Sequence, residues 1–150
     1  MEVAATVYAG PWRRIVGWLL DGVFAGGVLA LGLLVGAVLG SAVAGAGAAG
    51  FLAIVLGVVG VWMYFALFES SPRQGTLAKI LLHEKVTDLR GHRITFERAS
   101  VRHFAMYLSL LTPLLIGFAM AFWTRRRQSL HDYLSSTLVT YAPETRSAGP

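Results

Sequence analysis

The sequence predicts an all-α integral membrane protein of a single domain. It has two long transmembrane helices, a basic cytoplasmic loop with a small β-hairpin, and a third hydrophobic segment broken by proline. Three observations carry this expectation. Apolar residues make up 55% of the 150 positions and charged residues only 14%, whereas a soluble domain is about a quarter charged. From Ile15 to Phe68 the sole charge is Asp21, which leaves enough apolar chain for two crossings of about 20 residues each. Basic residues flank that run: Arg13 and Arg14 before it, ten between Arg73 and Arg127, and Arg146 in the tail. Such a composition excludes disorder and a simple soluble globule. The net charge of +5 reads as the Lys/Arg excess of a cytoplasmic membrane face, with anionic lipid as its partner, and not as a nucleic-acid surface. Cysteine is absent, which rules out disulfides and thiolate metal sites.

The elements follow in order. Gly10-Pro11-Trp12 suits a helix entry at the membrane interface. Helix 1 is expected over about 13–40; the apolar stretch from Ile15 would rise roughly 39 Å, more than a ~30 Å hydrocarbon core. A cleaved leader ending near Ala42-Val43-Ala44 is the rival reading, disfavoured by the length of the run and by Asp21. Ser41–Gly50 holds only Ser, Ala, Val and Gly and reads as a turn on the outer side. Helix 2 is expected over about 51–68, ending in the aromatic group Trp62, Tyr64, Phe65 and Phe68 before Glu69-Ser70-Ser71-Pro72. The basic loop, 69–103, carries the expected hairpin: Ile80–Val86 and Arg93–Phe96 flank Thr87–His92, with Asp88 and Gly91 as turn residues. Segment 104–123 is long enough to span, but Pro113 interrupts it and Arg125, Arg126 and Arg127 follow it. A re-entrant hairpin of two short helices meeting near Thr112-Pro113 keeps every basic cluster on one side and is the preferred reading; a kinked span is the alternative. Residues 124–150 form a C-terminal segment.

Arg14 and Asp21 are seven residues apart and so share a helix face to within about 20°. An ionised side chain near the bilayer centre costs about 2.5–3.5 kcal/mol, so Asp21 requires a partner, a proton or water. Gly22 and Gly26 form one GxxxG pair, Gly32, Gly36 and Gly40 form two more, and Gly57 and Gly60 make a stripe on helix 2. Such faces admit close helix packing, within the chain or in a homo-oligomer. His131 and Asp132 are sequence neighbours, so their side chains diverge and do not form a dyad by spacing. His83, His92 and His103 read as solvated loop residues. No nucleophile elbow, HExxH, phosphate loop or metal-ligand cluster occurs. No enzymatic reaction, metal or cofactor is expected.

Three separated motifs, Tyr8-Ala9-Gly10-Pro11-Trp12-Arg13-Arg14 with Asp21, Gln74-Gly75-Thr76-Leu77-Ala78-Lys79, and Arg125–Asp132, resemble the RDD family. The resemblance covers nearly the whole chain. It implies a polar cluster of Arg14, Asp21 and Asp132, with Arg13 as a substitute for Arg14 and His131 in support. Two departures stand out: Ala78 where the family has Gly, and Ser135-Ser136 where it often has Ala-Gly. The family is similar to small bacterial and archaeal membrane proteins of undefined activity, and a role in transport, including sodium–proton exchange, has been suggested for it. Two functional readings follow. In the first, the protein is a multi-pass scaffold or accessory subunit of the cell membrane, with the N-terminus and basic loop cytoplasmic and a structural Arg/Asp cluster. In the second, an oligomer or larger membrane complex exchanges cations or protons through Asp21.

Overall fold

The computed structural model describes residues 8–44 and 46–141. The residues before Tyr8 and the tail beyond Tyr141, with Arg146, lie outside the described residues. Two helices dominate: α1 spans Pro11–Ala44 and α2 spans Ala46–Ser70. Both are long and apolar enough to cross a membrane. Each runs past its expected ends. The expected turn over 41–50 is instead largely helical, with α1 continuing to Ala44 and α2 starting at Ala46. Hydrocarbon penalises any backbone that does not bond internally.

The two helices form an antiparallel hairpin zipped by glycine. A Cβ on Gly32 would lie 2.7 Å from Gly57 Cα, and one on Gly40 would lie 2.5 Å from Ala49 Cα. Gly36 presses on Ala53 in the same way, while Gly57 and Gly60 receive Leu29 and Val28. This stripe is thus consumed inside the chain. Gly22 and Gly26 are not part of it: a Cβ on either meets nothing within 4 Å. The ten residues from Gly22 to Gly32 turn the helix to about 80° off the seam.

Beyond α2 the chain builds a small cap. Helix α3, Leu77–Leu81, leads into strand β1, Glu84–Asp88. The expected hairpin partner of β1 is corrected by the structure. β1 pairs antiparallel with β2, Thr137–Tyr141, placing Val86 opposite Val139. Locally only a single bridge, Thr87 to Arg93, remains, closed by a turn in which Arg90 N and His92 N both donate to Asp88 Oδ1 at 2.8 Å. Tyr8 adds one bridge to Thr140. The core beneath is Ala9, Ala66, Val86, Ile94, Ala99 and Val139, with Trp62 and Phe96 packed on it.

Helix α4, Phe96–Leu111, begins eight residues before the expected start of the hydrophobic segment, with Thr95 Oγ1 accepting from Arg98 N at its N-cap. Charge marked the expected boundary, but α4 keeps Glu97 and Arg98 exposed in its first turn and buries Arg102 on its packed face. At Thr112-Pro113 the chain breaks. A short 3-10 turn (Pro113–Leu115), helix α5 (Ile116–Ala119) and a second 3-10 turn (Met120–Phe122) return at 118° to α4. The hydrophobic segment is therefore bent, not one straight helix. Thr112 Oγ1 accepts from Gly117 N at 2.9 Å, and a Cβ on Gly117 would lie 2.8 Å from Ser109 Cα. The returning limb thus lies directly on α4. Helix α6, Leu130–Leu134, then leads into β2.

Candidate functional site

Where the hairpin meets the cap, six ionic side chains alternate in sign. Arg14 Nη1 on α1 bonds Asp132 Oδ2 on α6 at 2.5 Å. Asp132 Oδ1 accepts from Arg102 on α4 at 2.9 Å. Arg102 also bonds Glu69, at the end of α2. Glu69 meets Lys79 Nζ on α3 at 3.1 Å, and Lys79 meets Asp21 Oδ2 at 3.3 Å. Asp21 returns the path to α1. The series Arg14–Asp132–Arg102–Glu69–Lys79–Asp21 therefore closes into a ring through the backbone of α1, and its formal charge is zero.

Neutral donors complete the carboxylates. Tyr64 OH donates to Asp21 Oδ1 at 3.0 Å, and Thr76 Oγ1 donates to Oδ2 at 2.6 Å. Ser129 N donates to Asp132 Oδ2 at 3.1 Å, which fixes that carboxylate at the start of α6. Asp21, Glu69 and Asp132 are buried. Isolated charges would be very costly there; paired and hydrogen-bonded charges are tolerated. Burial opposes ionisation of Asp132, but the guanidiniums of Arg102 and Arg14 more than offset it and hold the carboxyl well below the usual range.

The sequence-derived trio is thus distributed around one ring. Arg14 pairs directly with Asp132, and Asp21 is reached only through the cap. Arg13 does not stand in for Arg14: its Nη2 donates to Leu82 O at 2.9 Å and its guanidinium sits over the Tyr141 ring. His131 is buried beside the ring, with Nδ1 3.2 Å from Ser109 Oγ and Nε2 3.6 Å from Asp132 Oδ1. Burial lowers its pKa to about 4. Of the loop histidines, His92 is exposed, but His103 is not solvated. It is buried, stacks on Phe65 at 5.0 Å, and belongs to α4.

Glu69, Lys79, Arg102, Tyr64 and Thr76 were not expected in the cluster. Thr76 and Lys79 stand inside the second motif. Arg102 had a readable signal: Ala99, Arg102, Ala105 and Ser109 are spaced as one buried helix face.

A cavity of about 80 Å³ adjoins the ring, lined in part by Asp21, Glu69, Lys79, Glu84 and His103. Glu84 is 2% exposed, yet its Oε1 has no hydrogen-bond partner, and neither do Arg14 Nε and His103 Nδ1. Burial pushes the Glu84 carboxyl up, against the pull of Lys79 and Arg14. Among the described residues no group of three or more His, Cys, Asp or Glu is arranged to hold a metal.

Two apolar spanning helices, tied at one end to a polar cap by a buried ion ring, define a helical membrane protein. The sequence pattern of the RDD family matches residues 8–136, and the chain belongs to that family. It is 34% identical over 88 residues to the uncharacterized protein YxaI of Bacillus subtilis (strain 168), an alignment covering 59% of this chain and 56% of that relative. The match thus spans little more than half of the relative's length. No solved structure matches.

Proposed function

We propose that the chain is a non-catalytic membrane module, a scaffold or accessory subunit, in which the ion ring clamps the cap onto the transmembrane hairpin. One observation supports this most directly. Both oxygens of Asp21 and both of Asp132 are bonded within the chain. Carboxylates saturated by fixed partners hold elements together and have little capacity left for an ion. By the positive-inside bias the cap, with its lysines and arginines, faces the cytoplasm of a cell-membrane protein.

The test is Asp21→Asn, with thermal stability in detergent measured beside ion flux in proteoliposomes. The clamp reading expects lost stability, because Lys79 is left beside a neutral amide. Unchanged stability with abolished flux would sink it. Exchange through Asp21 loses support because both of its oxygens are bonded; a cation or proton exchange module working through Glu84 instead draws support from the cavity and from the carboxylate oxygen of Glu84 that lacks a partner. Flux in the wild type that survives Asp21→Asn and disappears in Glu84→Gln would favour that reading.

A further inference from the structure

A second cavity, of about 300 Å³, lies between the first two turns of α1 and the returning limb of the third segment. Its walls are almost wholly apolar: Ile15 and Trp18 face Leu110, Leu115, Phe118 and Phe122. Two aromatic contacts frame it, Trp12 against Phe122 with centroids 5.7 Å apart and Trp18 against Phe118 at 5.9 Å. The volume is at the lower end of what small-molecule sites provide. The cavity starts at Pro11, the first residue of the spanning stretch. If α1 spans from Pro11, the Pro11 end of the cavity is at headgroup level and the rest at acyl-chain level. Trp12, 72% exposed, marks the same level.

The Pro11 end is basic. A Cβ on Gly10, next to Pro11, would lie 3.2 Å from Arg127 Nη1, so the Arg127 guanidinium lies beside the Pro11 end of the cavity. Arg125, Arg126 and Arg127 are exposed, and among the described residues none of them forms an ion pair. The first turn of α1 holds no acidic residue, and Gly10 has no side chain with which to cap it. An apolar slot at chain depth, opening beneath uncompensated arginines and a helix start, is complementary to a molecule with an apolar tail and an anionic head.

We propose that this cavity is a specific site for one anionic glycerophospholipid, with an acyl chain between α1 and the returning limb and the phosphate at Arg127. The site adjoins the ion ring through Arg14 and Ser129 but does not depend on how that ring functions. Arg14 lines the cavity wall, but its charge is already engaged by Asp132. The headgroup contact therefore falls to the Arg125–Arg127 run.

The experiment uses the full chain in mild detergent, offered phosphatidylglycerol or phosphatidylcholine with the same acyl chains. Retained lipid is counted by native mass spectrometry. The wild type is expected to hold phosphatidylglycerol about fivefold more tightly, the effect of one arginine near an anionic lipid. Arg127→Gln, at an exposed position, is expected to remove that preference and leave residual binding of both lipids. Ala119→Trp, which fills the cavity, is expected to abolish retention of both; Leu110→Trp fills it from α4 and serves if the first variant does not fold. Excess inorganic phosphate is expected not to displace the lipid. Equal retention of the two headgroups by the wild type, retention unchanged by cavity filling, or displacement by phosphate alone would each overturn the proposal.

Discussion

Arg14 and Asp21 occupy one face of α1 and both join the buried ion ring, yet they do not bond to each other. Arg14 Nη1 is 2.5 Å from Asp132 Oδ2, whereas Asp21 Oδ2 is 3.3 Å from Lys79 Nζ. Two turns of helix keep them apart, and the cap supplies an opposite charge to each. The spacing that placed them on one face thus marks where the cap docks.

Arg102 is the cation on which two carboxylates depend. Arg102→Met leaves both Glu69 and Asp132 short of a partner, and about 3–5 kcal/mol of stability is expected to be lost, as for other broken buried pairs. Arg102→Lys is expected to recover only part, because an ammonium lacks the planar fork that reaches two acids at once. Thermal unfolding in detergent checks both; a loss below about 1 kcal/mol for the Met variant would remove the ring from the stability account.

The glycine seam predicts a contrast between two identical substitutions. Gly36→Ala forces a methyl into the backbone of Ala53, and the helices must part. A cost of about 1–3 kcal/mol is expected, typical of overpacking. Gly22→Ala meets open space and is expected to be neutral, or slightly stabilising through better helix propensity. Equal effects at the two sites would contradict the packing of α1 on α2.

His131, Asp132 and Glu84, all outside the spans, contribute to the pH dependence. His131, with a pKa of about 4, favours the fold above the ordinary histidine value of about 6.5, and its contribution is lost as pH falls toward 4. Asp132 adds a second loss on the acid side, below the ordinary aspartate value of about 3.9. Glu84 has the opposite sign. Its pKa is raised, so its contribution is full below about 4.3 and is lost as pH rises through the raised value. Melting temperatures between pH 4 and 7 are expected to climb more steeply in Glu84→Gln than in the wild type, and to flatten in His131→Gln. Parallel curves for all three proteins would show that neither group is coupled to folding.

Orientation is checked by labelling. Val43→Cys, at the far end of α1 and 84% exposed, is expected to react with an impermeant thiol reagent added outside intact cells. Arg90→Cys, in the cap turn, is expected to react only after lysis. Labelling of Arg90→Cys in intact cells would reverse the topology.

Much of the membrane architecture was legible because hydrocarbon demands long apolar runs. The stretch from Ile15 to Phe68 announced two helices, and Pro113 announced the break. The strand pairing was not legible. Thr137–Tyr141 is β-branched and aromatic enough to be a strand, but its partner lies about fifty residues earlier, and no local period points there. The ion ring was legible only at its ends. Arg14 and Asp21 stood out because apolar surroundings made them conspicuous, whereas Lys79 and Arg102 sat among other basic residues and looked like solvent-facing charge. The reach of the glycine seam had to wait for the path of α2, although helical phase already separated Gly22 and Gly26 from Gly32.

The ring also orders events during synthesis. Asp21 emerges 58 residues before Lys79, and Arg14 emerges 118 residues before Asp132. At about 5–20 residues per second, Arg14 waits roughly 6–24 s for its carboxylate. Asp21 thus finds Lys79 about halfway through synthesis, whereas Arg14 lacks its carboxylate until nearly the whole matched region has left the ribosome. A chain that stops before α6 leaves Arg14 without its carboxylate and Arg102 with Glu69 alone, which is a chemical signature of an unfinished product.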